Sequence, residues 1–393
     1  MEIIQIVPRL PPSIDGVGDY AYSLALALRS GHNINTQFVV CDPQWKTEQN
    51  GNLKADIDGF KIFQLKERNA SELLRVLSQP GMPKINLLQY VGYGYGKRGC
   101  PAWLLHGLDR WRKQHLPIQN RTCRSTYPLS VSNSSAERRL ATMFHELYAF
   151  GPPWRSSFWI SPVHRYIARS LARNCDHCLT SCAALAKWLA DASAQPINNV
   201  SVLPVPSNVG EPEYLPDWSA RAPRMMVFGS YGQRRKIYWE HRAELELACQ
   251  TLGLREIVDI GATLEIPPLS VPLFQRGILP APAVSREMLN SRAGFIVYPT
   301  AYFGKSSIFS AYAAHGLTTI TVSGNSAANE DGLRAGEHYL YAGVNNFNLA
   351  RDIAGNARLW YWAHNVKQQA RSYAAIIQNL AGLTVTESRE SKP

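Results

Sequence analysis

At 393 residues, with 45% apolar and 18% charged residues, the chain has the composition of a globular protein of two ordinary domains; bulk disorder is excluded. No apolar run reaches the roughly 18 residues that cross a bilayer. The net charge of +11 suits phosphorylated ligands or an anionic membrane; with no helix-turn-helix, RRM or zinc-finger pattern, nucleic acid is not an expected partner.

In chain order, the first half alternates strand and helix patterns. Strands are predicted at 2–7, 36–41, 60–65, 85–91, 140–145, 177–181 and 200–204. Many are short continuous apolar runs, the pattern of a parallel sheet covered on both faces. Helices are predicted at 18–29, where Tyr20, Ala21, Leu24, Ala25 and Leu28 share a face, and at 163–173 and 183–191. Residues 116–137 hold Pro, Asn, Ser and Arg and read as a long loop or insertion. The proline-rich stretch 204–223 reads as a linker.

The rhythm then restarts. Strands are expected at 224–229, 256–260, 294–298 and 317–322, and helices at 236–251, 284–291 and 306–315. A long amphipathic helix is expected over 348–381, and a polar tail over 382–393. The expected domains are therefore 1–205, a linker 206–222, a second α/β domain 223–347, the helical segment 348–381 and the tail. The opening residues form a strand pattern rather than a basic-then-apolar leader, so a cytoplasmic protein is expected, with contact at the inner membrane surface. The seven cysteines include Cys175-x-x-Cys178 followed by Cys182, without a second pair at zinc spacing; they read as reduced thiols.

Two strand–turn–helix stretches suggest anion sites, because a helix N-terminus presents unbonded N–H groups and partial positive charge. The first is Asp15-Gly16-Val17-Gly18, which also suits a plain tight βα turn. The second is Lys305-Ser306-Ser307, where serine N-capping is the competing reading. Gly229-Ser230-Tyr-Gly-Gln-Arg234-Arg235-Lys236 follows a strand and places three cations at a helix start, where they could neutralise a diphosphate. Gly92 to Gly99 interleaves four glycines with Tyr93 and Tyr95 and reads as a mobile ligand-contacting or structural loop. His145 and Glu146 end a strand, where a His–Glu pair could position or deprotonate a hydroxyl.

Taken together, these pieces resemble the retaining GT-B glycosyltransferases with an E-x7-E motif. The match is carried by DGVGDYAYSLALAL, the HE at 145–146, the helix after LTS at 179–181, VLPVPSNV, FGSYGQRRK and YFGKSSIFSAYAAHGL. The resemblance implies an α/β fold of two Rossmann-like domains facing across a cleft, with the final helix crossing back to the first. It implies sugar transfer from a nucleotide diphosphate sugar, a co-substrate, to a saccharide or lipid acceptor. Asp15, Gly16, Gly18, Tyr93 and Tyr95 would lie on the acceptor side, and His145 and Glu146 would be catalytic. Gly229, Ser230, Arg234, Arg235, Lys236, Lys305, Ser306 and Ser307 would bind the donor. No metal or other cofactor is needed if these cations stabilise the leaving diphosphate. One departure is clear: aligning the terminal A-x-H-G puts Phe303 and Ala311 where the two glutamates would stand. A catalytically impaired GT-B protein that binds a nucleotide sugar or a partner is the alternative.

Overall fold

The computed structural model describes residues 1–13, 15–46, 56–114, 138–149, 153–194, 199–322, 331–344 and 349–383. The expected loop at 116–137 and most of the tail lie outside them.

The chain forms two compact units. The first comprises Met1–Thr180, Ala186–Ser201 and Ala370–Pro393, and the second Ser181–Leu185 and Val202–Gln369. The first unit is built from β1 (Glu2–Val7), α1 (Gly16–His32), β2 (Asn35–Val40), β3 (Asp56–Ile57), β4 (Phe60–Gln64), α2 (Ala70–Leu77) and β5 (Ile85–Tyr90). Then come α3 (Gly92–Tyr95), α4 (Ala102–Lys113), β6 (Arg139–Phe144), α5 (Ser156–Asn174), β7 (His177–Thr180), α6 (Ala183–Ser193) and β8 (Val200–Val202). The sheet order is β3-β4-β2-β1-β5-β6-β7-β8. Pairs from β4 to β7 are parallel, and β3 runs antiparallel at the edge. β1, β2 and β5 are buried on both faces, so apolar residues stand at consecutive positions in them rather than alternating, with buried polar residues such as Gln5 and Gln89 between.

The second unit contains β9 (Ala222–Phe228), α7 (Tyr231–Glu240), α8 (Arg242–Thr251), β10 (Glu256–Ile260), β11 (Leu273–Gln275), α9 (Ala281–Leu289) and β12 (Ser291–Ile296). It continues with α10 (Ser307–Ala314), β13 (Thr318–Thr321), β14 (Leu340–Tyr341), α11 (Ala350–Trp362) and α12 (Val366–Leu380). Its sheet is parallel throughout, in the order β11-β10-β9-β12-β13-β14. The second half of α12 belongs to the first unit, where the Tyr373 and Tyr20 hydroxyls meet at 3.0 Å.

Two expected helices are broken. The 236–251 segment starts earlier, at the Ser230 cap, and divides at His241, whose backbone leaves the helical region. The 348–381 segment divides at 363–365, because the Asn365 side chain accepts the Gln368 N–H and starts a new helix there. The proline-rich stretch is packed against α11: Tyr361 Oη accepts from Ser207 N at 2.9 Å and donates to Glu211 Oε1 at 2.5 Å.

Candidate functional site

In an open parallel sheet, ligands bind beyond the strand C-terminal ends where strand order reverses. In the second unit that point lies between β9 and β12, which are neighbours although two strands separate them in the chain. A cavity of about 200 Å³ opens there. Its walls include Phe228 at the end of β9, Gln233 of α7, and Val297 and Tyr298 just past β12. Lys305, Ser306 and Ser307 line it from the start of α10, so these three expected donor residues come together.

The local sequence explains this wall. Ser306 Oγ accepts the Phe309 N–H at 3.2 Å, so it caps α10. The capping reading and the pocket reading thus describe the same serine. Gly229 sits at the bend out of β9 with φ of 143°, a backbone that L side chains rarely adopt. A Cβ there would lie 2.7 Å from Ile308 Cδ1 at the cavity wall. Ser230 caps α7 by accepting the Gln233 N–H at 3.4 Å.

The three cations of this turn separate. Arg235 and Lys236 are exposed on α7 and do not line the cavity. Arg234 is fully buried and overturns the expectation of a phosphate ligand. Its Nε and Nη2 donate to Asp259 at 2.9 and 2.6 Å, and Nη1 donates to the Ala262 carbonyl at 2.7 Å. A charge in an apolar interior must be paired, and Asp259 on β10 pairs it. The Tyr238 hydroxyl also donates to Asp259, and burial together with that carboxylate pushes the phenol pKa up.

Phe303 and Ala311 lie wholly in the core of this unit. Phe303 stacks on Phe309 at 4.5 Å and meets Tyr339 edge-on at 5.0 Å. His315, at the end of α10, is buried between the Ala311 carbonyl and Ser285 Oγ, and burial lowers its pKa to about 4.

In the first unit the Asp15 carboxylate caps α1, accepting the Val17 and Gly18 N–H groups at 3.0 and 3.2 Å. Those donors are taken by the chain's own carboxylate, which corrects the expectation of an open anion cradle. Gly16 is exposed. Gly18 is needed because a Cβ would stand 2.4 Å from the Arg9 carbonyl oxygen. Asp19, one turn on, has its pKa raised to about 6 by burial and then by Asp15.

His145 and Glu146 have different surroundings. His145 is buried, edge-on to Tyr20 at 5.0 Å, with Nε2 at 2.9 Å from Gln89 Oε1. Gln89 Nε2 donates to Gln5 Oε1, and Gln5 Nε2 donates to the Ala21 carbonyl of α1. Because Gln89 Oε1 can only accept, the imidazole donates from Nε2. Glu146 instead lines a cavity of about 10 Å³, room for one water, with Tyr90, Tyr93 and His164.

The glycine loop is packed rather than loose. Tyr95 is buried and donates to the Ile6 and Gln89 carbonyls, so it is a core residue and not an acceptor contact. Tyr93 is half exposed and meets His164 edge-on at 5.6 Å. His164 fixes the loop: Nε2 lies 2.7 Å from the Arg98 carbonyl, while Nδ1 accepts the Ala149 N–H at 3.2 Å. Sequence reasoning passed over Gln5, Gln89 and Asp259, although a lone polar residue in an apolar strand signals a buried partner. It had no signal for His164. Cys175 and Cys178 are buried and not joined in a disulfide, with Sγ atoms 3.2 Å apart.

No family model matches the chain, and no curated protein does. Solved structures do match in fold. The α-glucosyltransferase AGT, solved with UDP, is 11% identical at a TM-score of 0.56, covering 96% of this chain and 99% of that one. The lipopolysaccharide outer core galactosyltransferase WaaB is 13% identical at 0.55, covering 96% and 100%. TarM is 8% identical at 0.61, covering 97% and 98%. The chain therefore has the GT-B fold over nearly its whole length, two parallel-sheet α/β domains.

Proposed function

We propose that this protein is a glycosyltransferase that moves a sugar from a nucleotide diphosphate sugar to a saccharide or lipid acceptor, with retention. The observation that carries the reading is the cavity at the strand-order reversal of the second unit, walled by Lys305, Ser306 and Ser307. The donor diphosphate would lie against the first turn of α10, where unbonded N–H groups and the lysine ammonium meet its charge. In the reaction the bond from the anomeric carbon to the diphosphate oxygen breaks, and a bond to the acceptor oxygen forms. The acceptor hydroxyl proton passes to the departing diphosphate oxygen, and Lys305 and the helix dipole stabilise the remaining charge on that leaving group. Gly229 and Ser230 shape the turn beside this wall, and exposed Arg235 and Lys236 supply longer-range positive field. In the first unit, the acceptor side would use the Asp15, Gly16 and Gly18 turn and Tyr93, with His145 as the residue that contacts a reacting hydroxyl. AGT, whose structure holds UDP, is consistent with a nucleotide donor.

A second reading is a protein that binds a nucleotide sugar without transferring it. Phe303 and Ala311 favour it, because both are core positions with no carboxylate to offer a donor. A thermal-shift screen of nucleotide diphosphate sugars, followed by turnover assays on any that bind, tests both. A donor that raises the melting temperature and is consumed supports the enzyme. A donor that binds and is never consumed supports the second reading, and no stabilisation by any donor defeats both.

A further inference from the structure

Helix α5 carries an exposed aromatic face that the transferase reading does not use. Its other face is settled: Ile167, Ala168, Leu171 and Ala172 are buried in the first unit. Outward, Trp154 is 83% exposed, Trp159 71% and Tyr166 67%, with Phe158, Pro162 and Val163 exposed between them. Positions 159, 162, 163 and 166 follow helical spacing, so they form one stripe. Phe158 and Trp159 meet edge-on at 5.4 Å, and Trp159 Nε1 donates to the Pro153 carbonyl at 2.9 Å. The indole's polar atom is thus satisfied within the chain, while most of its surface is left to water. A soluble monomer rarely leaves such a contiguous aromatic surface uncovered.

Along the segment itself the charge has one sign, and the acid that shares a cavity wall with Tyr166, Asp109 of α4, is paired with Lys113 at 2.7 Å. From Trp154 to Asn174 there are four arginines and no aspartate or glutamate. Arg155 stands at the helix start, and Arg165 and Arg169 are exposed further along. The Arg165 guanidinium lies 4.4 Å from the Tyr148 ring centroid, which fixes it beside the stripe. Tryptophan and tyrosine with an apolar body, on a helix that carries arginines and no acid of its own, match the boundary between anionic headgroups and acyl chains. We propose that the face Phe158–Trp159–Val163–Tyr166 of α5, with Trp154 just before the helix, docks the protein on an anionic lipid bilayer, with Arg155, Arg165 and Arg169 on the headgroups. The helix would lie in the interface and not span it.

The test is sedimentation of the full chain with vesicles, which reads no sugar transfer and so stands apart from the proposed activity. Vesicles of phosphatidylcholine mixed equally with phosphatidylglycerol should bind at least about tenfold more tightly than phosphatidylcholine alone. Tryptophan emission should shift to the blue on binding. The double variant Trp154→Ala/Trp159→Ala should lose about tenfold in partition while keeping its circular dichroism and melting temperature. Arg155→Gln/Arg169→Gln should lose about fivefold per arginine and become less salt-sensitive. Failure of the native chain to bind anionic vesicles, or unchanged binding by the folded tryptophan variant, overturns the proposal. So does self-association of the native chain that the tryptophan variant abolishes when vesicle binding is absent, which would assign the face to a second copy.

Discussion

Arg234 and Asp259 meet through one guanidinium edge, Nε and Nη2 donating to the two carboxylate oxygens at 2.9 and 2.6 Å, with each side chain only 1% exposed. Removing one partner leaves the other charge buried and unpaired, at a cost of about 3–5 kcal/mol. Arg234→Ala should therefore lower the midpoint of urea unfolding by a corresponding amount. The pair Arg234→Ala/Asp259→Asn should recover part of the loss, since the stranded carboxylate is gone. A stable Arg234→Ala that had lost only nucleotide affinity would restore the phosphate role.

Lys305 should behave in the opposite way. It lines the cavity at the start of α10 rather than sitting within the core. Lys305→Ala should weaken binding of a nucleotide diphosphate sugar by roughly 1.5–3 kcal/mol, the range for hydrogen bonds to charged groups. Calorimetry on the folded variant measures this. Unchanged affinity would remove Lys305 from the donor site.

His315 gives stability a pH dependence. Burial holds its folded pKa at about 4, below the ordinary 6.5. Between these values the unfolded chain binds the extra proton, so the stabilisation is fully present above about pH 6.5 and is lost as pH falls toward 4. The span corresponds to roughly 3 kcal/mol. Asp19 acts with the other sign: its folded pKa is raised to about 6, so its contribution is present below its ordinary 3.8 and is lost as pH rises through 6. Urea unfolding across that range should give a shallower acid-side loss in His315→Gln and a steeper one in Asp19→Asn. A native-like slope in His315→Gln would mean that another group governs the acid side.

These groups also show what a sequence reveals. Both sheets were legible because buried parallel strands such as β1 and β5 are largely apolar over consecutive positions, with turns between them. The wall at Lys305–Ser307 was legible because a strand, a small-residue turn and a helix sit in immediate succession. Arg234 was misread because its partner is a strand away: nothing local distinguishes a guanidinium aimed at a ligand from one aimed at Asp259. Tyr95 was misread for a similar reason. Glycines at 92 and 94 suggest freedom, yet Gly94 packs against Pro8 and Gly92 against the Gly99 carbonyl. Their missing side chains permit close packing rather than motion. The breaks at His241 and Asn365 were hidden because apolar periodicity runs across them, while one cap or one backbone angle decides the division.

The Gln5–Gln89–His145 chain gives the last prediction. It runs from the Ala21 carbonyl of α1 to His145 Nε2 and sets that nitrogen as the donor. If His145 contacts a reacting hydroxyl, the enzyme depends on the ring's orientation as well as its presence. His145→Ala should lower kcat by about 10²–10⁴-fold, the usual contribution of a positioned acid or base, with donor affinity nearly intact. Gln89→Leu removes the acceptor of Nε2–H and should lower kcat by less, because the imidazole remains but loses its fixed setting. A purely structural histidine predicts otherwise: both variants would melt at lower temperature, yet turn over normally per folded molecule. Measuring kcat, donor affinity and melting temperature together on the two variants separates these cases. Unchanged kcat in His145→Ala would leave the polar chain as a brace between α1 and the central strands.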